Sequence, residues 1–224
     1  HNRVRRQRQM CIRDRLDSFR KMAENEEGDS SILAHLEKMK ELPSLRESLM
    51  NWIERTPIMG SIYGSEGDEE LVSAYVDAHL EAHEDICNSA SGSSEMMAER
   101  MRAVHEGAKS FLRPEGRVSR ARAGLLFIES YRELPLLTWP RKLIDAIVEL
   151  EESMVKWRHS HARMVERIMG RRIGTGGTSG VDYLDATSKY RVFKDLWSVR
   201  TILVKPQSRP ELKGSEFYGF NSAN

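Results

Sequence analysis

The strongest constraint on the fold lies between Arg141 and Leu196, where a long helical pattern, a glycine-rich turn and a second helical pattern follow one another. Leu143, Ile147, Leu150, Met154, Trp157, Met164 and Ile168 recur at steps of three and four. That spacing puts them on one helix face and predicts the face to be buried against partners. His161 falls in the same stripe, four residues after Trp157 and three before Met164. His159 lies roughly 200° away around the helix and faces elsewhere. A lone imidazole in an apolar stripe admits two readings. It is either a core histidine bonded to a backbone group, or an axial ligand to haem iron, which needs a neutral imidazole in a dry slot.

Gly170 ends the helical pattern, and Gly174-Thr175-Gly176-Gly177-Thr178-Ser179-Gly180 packs four glycines into seven residues. Glycine lets a ligand approach the main chain closely, and the two threonines and the serine add hydroxyls. The phosphate-binding motifs fail here. Ser179 stands where a dinucleotide fingerprint needs glycine, no Gly-Lys-Ser/Thr follows, and a helix precedes the loop where those motifs need a strand. A flexible linker is the bland reading, but linkers rarely join two strongly patterned helices so directly.

Three runs carry a family resemblance: Trp157-Arg158-x-x-His161-x-x-Met164-Val165-x-Arg167, the 174–180 turn, and Tyr183-Leu184 followed by Tyr190-Arg191-Val192-Phe193-x-Asp195-Leu196. Together they resemble the tryptophan 2,3-dioxygenases, all-helical haem proteins that insert both atoms of O2 into the indole ring of L-tryptophan. The resemblance implies an all-α fold, haem b, and His161 as axial ligand to the haem iron, with Trp157, Gly176 and Gly177 beside the cofactor. It implies that Thr175, with Gly174 and Thr178, holds the ammonium and carboxylate of the substrate. The product would be N-formylkynurenine, and family members are usually cytoplasmic homotetramers. Trp52-Ile53-Glu54-Arg55-Thr56-Pro57 also resembles the family. Some members use such an element as a second, non-catalytic tryptophan site, here Trp52, Arg55, Thr56 and Pro57; a plain helix-ending turn is the simpler reading. A related haem enzyme acting on another aromatic substrate, a non-catalytic haem-binding module and a helical interaction domain without cofactor are the competing readings.

With 39% apolar and 31% charged residues in 224, the chain can bury a core as one domain. It shows no membrane-spanning apolar run and no secretory pattern. Two cysteines, Cys11 and Cys87, make no disulfide framework and predict a reducing compartment; a cytoplasmic setting is what the resemblance implies. Residues 1–15 hold six arginines and one acid. A basic arm for nucleic acid is one reading. The string resembles translated sequencing-adapter text, so it is read as a non-native leader and no nucleic-acid partner is expected. Without it the remainder is mildly acidic.

Helical patterns are predicted over 32–57 with a break near Pro43, over 69–85, 95–111 and 120–132, and from 181 through 196 on to 204. A small-residue linker is expected at 89–94, a variable surface insertion over 90–108, and a loose tail over 207–224. His79 and His83, one turn apart among Glu81, Glu84 and Asp85, could hold a metal, but the neighbours suit a solvated face. His105 is expected to be exposed. The family's distal Phe-x-x-x-His-Gln and substrate-binding Phe-Arg segments do not occur in this chain. Residues 16–206 are therefore expected to be the C-terminal half to two-thirds of a full member, truncated at its N-terminus.

Overall fold

The computed structural model describes residues 34, 38, 42–92, 94–171, 180–188 and 190–219. Residues 1–48 and 49–224 form two compact units. All regular structure among the described residues is helical. The helices are α1 (Leu45–Ile53), α2 (Asp68–Ser91), α3 (Glu95–Leu112), α4 (Arg120–Ser130), α5 (Thr138–Met169), α6 (Val181–Ser188) and α7 (Lys194–Ser198), with short 3-10 turns between and after them. The reading of residues 1–15 as a leader lies outside the described residues.

Each boundary has a local cause. Ser44 and Glu47 cap the start of α1 reciprocally: the Ser44 hydroxyl accepts from the Glu47 amide at 3.2 Å, and the Glu47 carboxylate accepts from the Ser44 amide at 2.8 Å. Those bonds hold the Glu47 carboxyl below the usual range. Gly170, with φ of 66°, stops α5 in a conformation that other residues enter at a cost.

The second unit is built around α4, in which all of residues 123–129 are buried. A helix apolar on every side belongs inside. Its Phe127 meets Tyr75 of α2 edge to face with centroids 5.5 Å apart, and packs on Tyr131 and Tyr218. Arg120 closes the start of α4 over the end of α1. Its guanidinium makes two 2.8 Å bonds to Asp68 and donates to the carbonyls of Glu54 and Thr56 at 2.6 and 3.0 Å. Burial pushes the Asp68 carboxyl up, but Arg120, the Ser61 hydroxyl and the Gly64 amide outweigh it and hold it below its usual value.

Two expectations are corrected here. Residues 181–204 are not one helix: α6 stops at Ser188 and α7 begins at Lys194. Between them the buried Glu151 of α5 accepts the Phe193 amide at 2.8 Å, and Arg158 donates to the Tyr190 carbonyl at 2.9 Å. Those bonds take backbone groups that a continuous helix would use itself. Residues 207–219 of the tail are packed rather than loose. Tyr218 is fully buried and its hydroxyl accepts from the Gly60 amide at 2.7 Å. Tyr131 donates to the Pro210 carbonyl at 2.5 Å, and Arg209 lies over the Tyr131 ring and pairs with Glu133.

Candidate functional site

Helix α5 presents two apolar faces. Ile144, Val148, Glu151 and Ala162 face the interior. The stripe read from the sequence lies on another face. Leu150, Met154, Trp157, Met164 and Ile168 are exposed, from 37% at Met154 to 75% at Ile168. Leu143 and Ile147 are half-buried. The face expected to be buried against partners is exposed in this chain, because the inward side of α5 is filled by a second set of residues one helical step away.

His161 sits in the middle of that surface. Its ring stacks on Trp157 with centroids 5.3 Å apart and planes 7° apart. The indole covers one face of the imidazole and limits its rotation. His161 is half-buried, and among the described residues no hydrogen bond to its ring is present. His159 is exposed on another side of α5, as its position in the helix requires.

Helix α6 returns along the outer end of α5. Arg163 binds both carboxylate oxygens of Asp185 and also Glu166. Arg171 reaches Glu166 at 3.0 Å and Asp182 at 3.2 Å. Arg163 beside it holds the Asp185 carboxyl low, and Asp185 in turn raises the Arg163 guanidinium. The predicted site residues Gly174, Thr175, Gly176, Gly177 and Thr178 lie outside the described residues. The Tyr190–Leu196 run is placed by packing and bonding. Phe193, Asp195 and Leu196 are buried, and Asp195 takes a 3.0 Å bond from Arg122. Glu151 also accepts from the Trp197 indole N–H at 2.6 Å. Sequence reasoning missed Glu151, although it falls in register with Ile144 and Val148 on the inward face.

At the end of α1, Trp52 is half-buried and meets Trp139 edge to face, with centroids 5.8 Å apart. Thr56 is buried, Pro57 is half-buried and Arg55 is exposed. The Thr56 carbonyl is one of those held by Arg120, so this stretch acts as the turn that ends α1.

The two histidines of α2 are not on a solvated face. His79 is fully buried, with Nε2 2.9 Å from the Ile202 carbonyl, and burial lowers its pKa to about 4. His83 is buried and meets His105 of α3, which is also buried rather than exposed. No group of three or more His, Cys, Asp or Glu among the described residues is arranged to hold a metal. None of the described helices is long and apolar enough to cross a membrane.

These features define a class: an all-helical chain whose longest described helix carries an exposed apolar surface with the Trp157–His161 stack at its centre. The chain belongs to the tryptophan 2,3-dioxygenase family, whose sequence model matches residues 1–203, a span that includes residues 1–15. It is 44% identical to a tryptophan 2,3-dioxygenase-like protein of Xanthomonas campestris, with 80% of this chain and 71% of the relative covered. It is also 44% identical to a tryptophan 2,3-dioxygenase of Sorangium cellulosum and 43% identical to a tryptophan 2,3-dioxygenase 2 of Ralstonia nicotianae. Those matches cover 47% and 52% of the relatives, so the chain spans about half the length of either.

Proposed function

We propose that this chain is the haem-ligating part of an enzyme that inserts O2 into the indole ring of L-tryptophan to give N-formylkynurenine, the entry to tryptophan degradation by the kynurenine route. The observation that carries the reading is His161, an imidazole without a bonding partner among the described residues, braced by Trp157 on an apolar surface. That donor set suits haem b: one neutral nitrogen ligand, with thioether, indole and aliphatic groups for a large apolar macrocycle. Haem supplies the redox chemistry that O2 needs to react with a closed-shell ring.

The chain's own residues bind and orient. His161 holds the iron and Trp157 fixes the plane of its ring. Thr175, with Gly174 and Thr178, takes the ammonium and carboxylate of tryptophan, while Gly176 and Gly177 let backbone approach the cofactor. Glu151 and Arg122 tie the 190–196 run to α5 and α4, keeping the second half of the site in register with the first. Trp52 and Arg55 keep accessible surface beside Thr56 and Pro57, which leaves room for a second, non-catalytic tryptophan site. The intact protein is assigned to a cytoplasmic homotetramer, and the uncovered face of α5 supports a partner surface there.

The test is made in a full-length protein carrying this sequence. His161→Ala should lose stoichiometric haem and tryptophan turnover, while His159→Ala retains both. Normal haem content in the His161 variant overturns the assignment.

A further inference from the structure

The α2–α3 hairpin is closed near its outer end by polar groups. From residue 84 round to residue 104 its helices bury Cys87 alone among the described residues, and the buried positions of α3 begin at His105. The contact at that point is His83 Nδ1 to His105 Nδ1 at 3.2 Å, with the Cys87 sulfur 3.7 Å from the same His83 nitrogen. The ring centroids are 5.5 Å apart and the planes 28° apart. So wide a separation of centroids for so short a nitrogen–nitrogen distance puts both nitrogens between the rings, edge to edge. That is the geometry of an N–H···N bond. Two lone pairs cannot both point along that line, so one Nδ1 carries the proton.

The unpartnered atom decides which. His105 Nε2 is buried with no hydrogen-bond partner among the described residues. Orphaned buried N–H groups are rarer than under-satisfied acceptors, so His105 donates from Nδ1 and leaves Nε2 bare. A further proton on His83 Nδ1, the acceptor of the bond, would set two N–H groups against each other across 3.2 Å. We propose that the His83–His105 pair is an acid-released latch: sharing one proton it closes the outer end of the α2–α3 hairpin, and taking up a second it opens it. The groups facing the pair are His79 and Cys87 on α2, with Glu84 beside the Cys87 thiol. The segment after Val199 presents the Ile202 carbonyl, which holds His79. On α4, Arg122 is turned to Asp195 and the Phe111 carbonyl. Burial and the neighbouring His105 lower the His83 pKa, in keeping with a pair held neutral. The inference does not depend on the proposed enzyme activity.

The 224-residue chain tests it. Hydrogen exchange of residues 84–104 is followed between pH 7 and 5, above the carboxylate range and above the titration of His79. The open fraction should rise by about tenfold per pH unit below pH ~6.5 for each proton taken up on opening. The double variant His83→Leu/His105→Phe should flatten that rise, and the single variant His83→Gln, whose amide oxygen accepts but cannot take the proton, should do so too if the double variant fails to fold. A nitrogen–nitrogen coupling across the His83–His105 bond at pH 7 should be visible by NMR and vanish on acidification. Equal pH slopes in the native chain and His83→Gln overturn the latch. So does zinc at pH 7.5 slowing exchange of the same segment, which would make the pair a metal ligand set.

Discussion

Asp68 shows how a single charged residue can be both buried and stable. Its side chain is 3% exposed and that of its partner Arg120 11%, and every lone-pair direction is used: two bonds from Arg120, one from Ser61 and one from the Gly64 amide. Replacing Asp68 by Asn leaves the guanidinium without its countercharge, and breaking a buried pair from one side costs about 3–5 kcal/mol. The sign of the pH dependence follows from the depressed Asp68 value. A carboxyl held below its ordinary 3.8 contributes stability that is fully present above that value and is lost as pH falls through the folded-state value. Urea unfolding at pH 7 should show Asp68→Asn destabilised by about 3 kcal/mol, with the gap to the native chain narrowing below pH ~4. A gap that stayed constant down to pH 3 would mean the pair is not the source. None of this was legible in the sequence, where Asp68 and Arg120 stand far apart in two unremarkable turns. His105 was missed for the same reason: its partner His83 is set by how two helices pack.

At the scale of elements, α5 was legible and its orientation was not. The three-and-four spacing predicted a helix ending at Gly170, and the helix runs Thr138–Met169. The same spacing could not say which of two apolar stripes faces inward, because periodicity marks a face without naming what covers it. The break between α6 and α7 was also hidden, since it is made by the Glu151 carboxylate on another helix. Helix α4 was legible by its apolar run, yet its tight seat depends on one atom. A Cβ built on Gly124 would lie 2.7 Å from the Ile53 carbonyl oxygen, closer than packed atoms tolerate. Gly→Ala inside a helix ordinarily gains up to ~1 kcal/mol. Here overpacking should reverse that, and Gly124→Ala is expected to lower stability by about 1–3 kcal/mol in thermal or urea unfolding. A neutral or stabilising result would show that α1 and α4 do not approach so closely.

For the whole molecule, the consequence of an outward apolar stripe is association. Leu150 to Ile168 spans about 28 Å of helix, and Leu150, Trp157, Met164 and Ile168 each leave half or more of their surface in water. Contiguous apolar patches of that extent mark surfaces that bind something. The isolated chain should therefore self-associate with rising concentration and bind a hydrophobic dye. Leu150 and Ile168 lie away from the Trp157–His161 stack, so Leu150→Glu/Ile168→Lys removes apolar area without touching His161. Exposed substitutions of this kind shift stability by at most about 0.5 kcal/mol. The variant is thus expected to keep its melting temperature while sedimenting as a smaller species and binding less dye. On the proposed haem-binding role of this face, haemin added to the native chain should displace dye in the same way. If the variant unfolds instead, the stripe is covered within the chain and the outward orientation of α5 is wrong. If it folds but associates as before, the contact lies elsewhere than on this face.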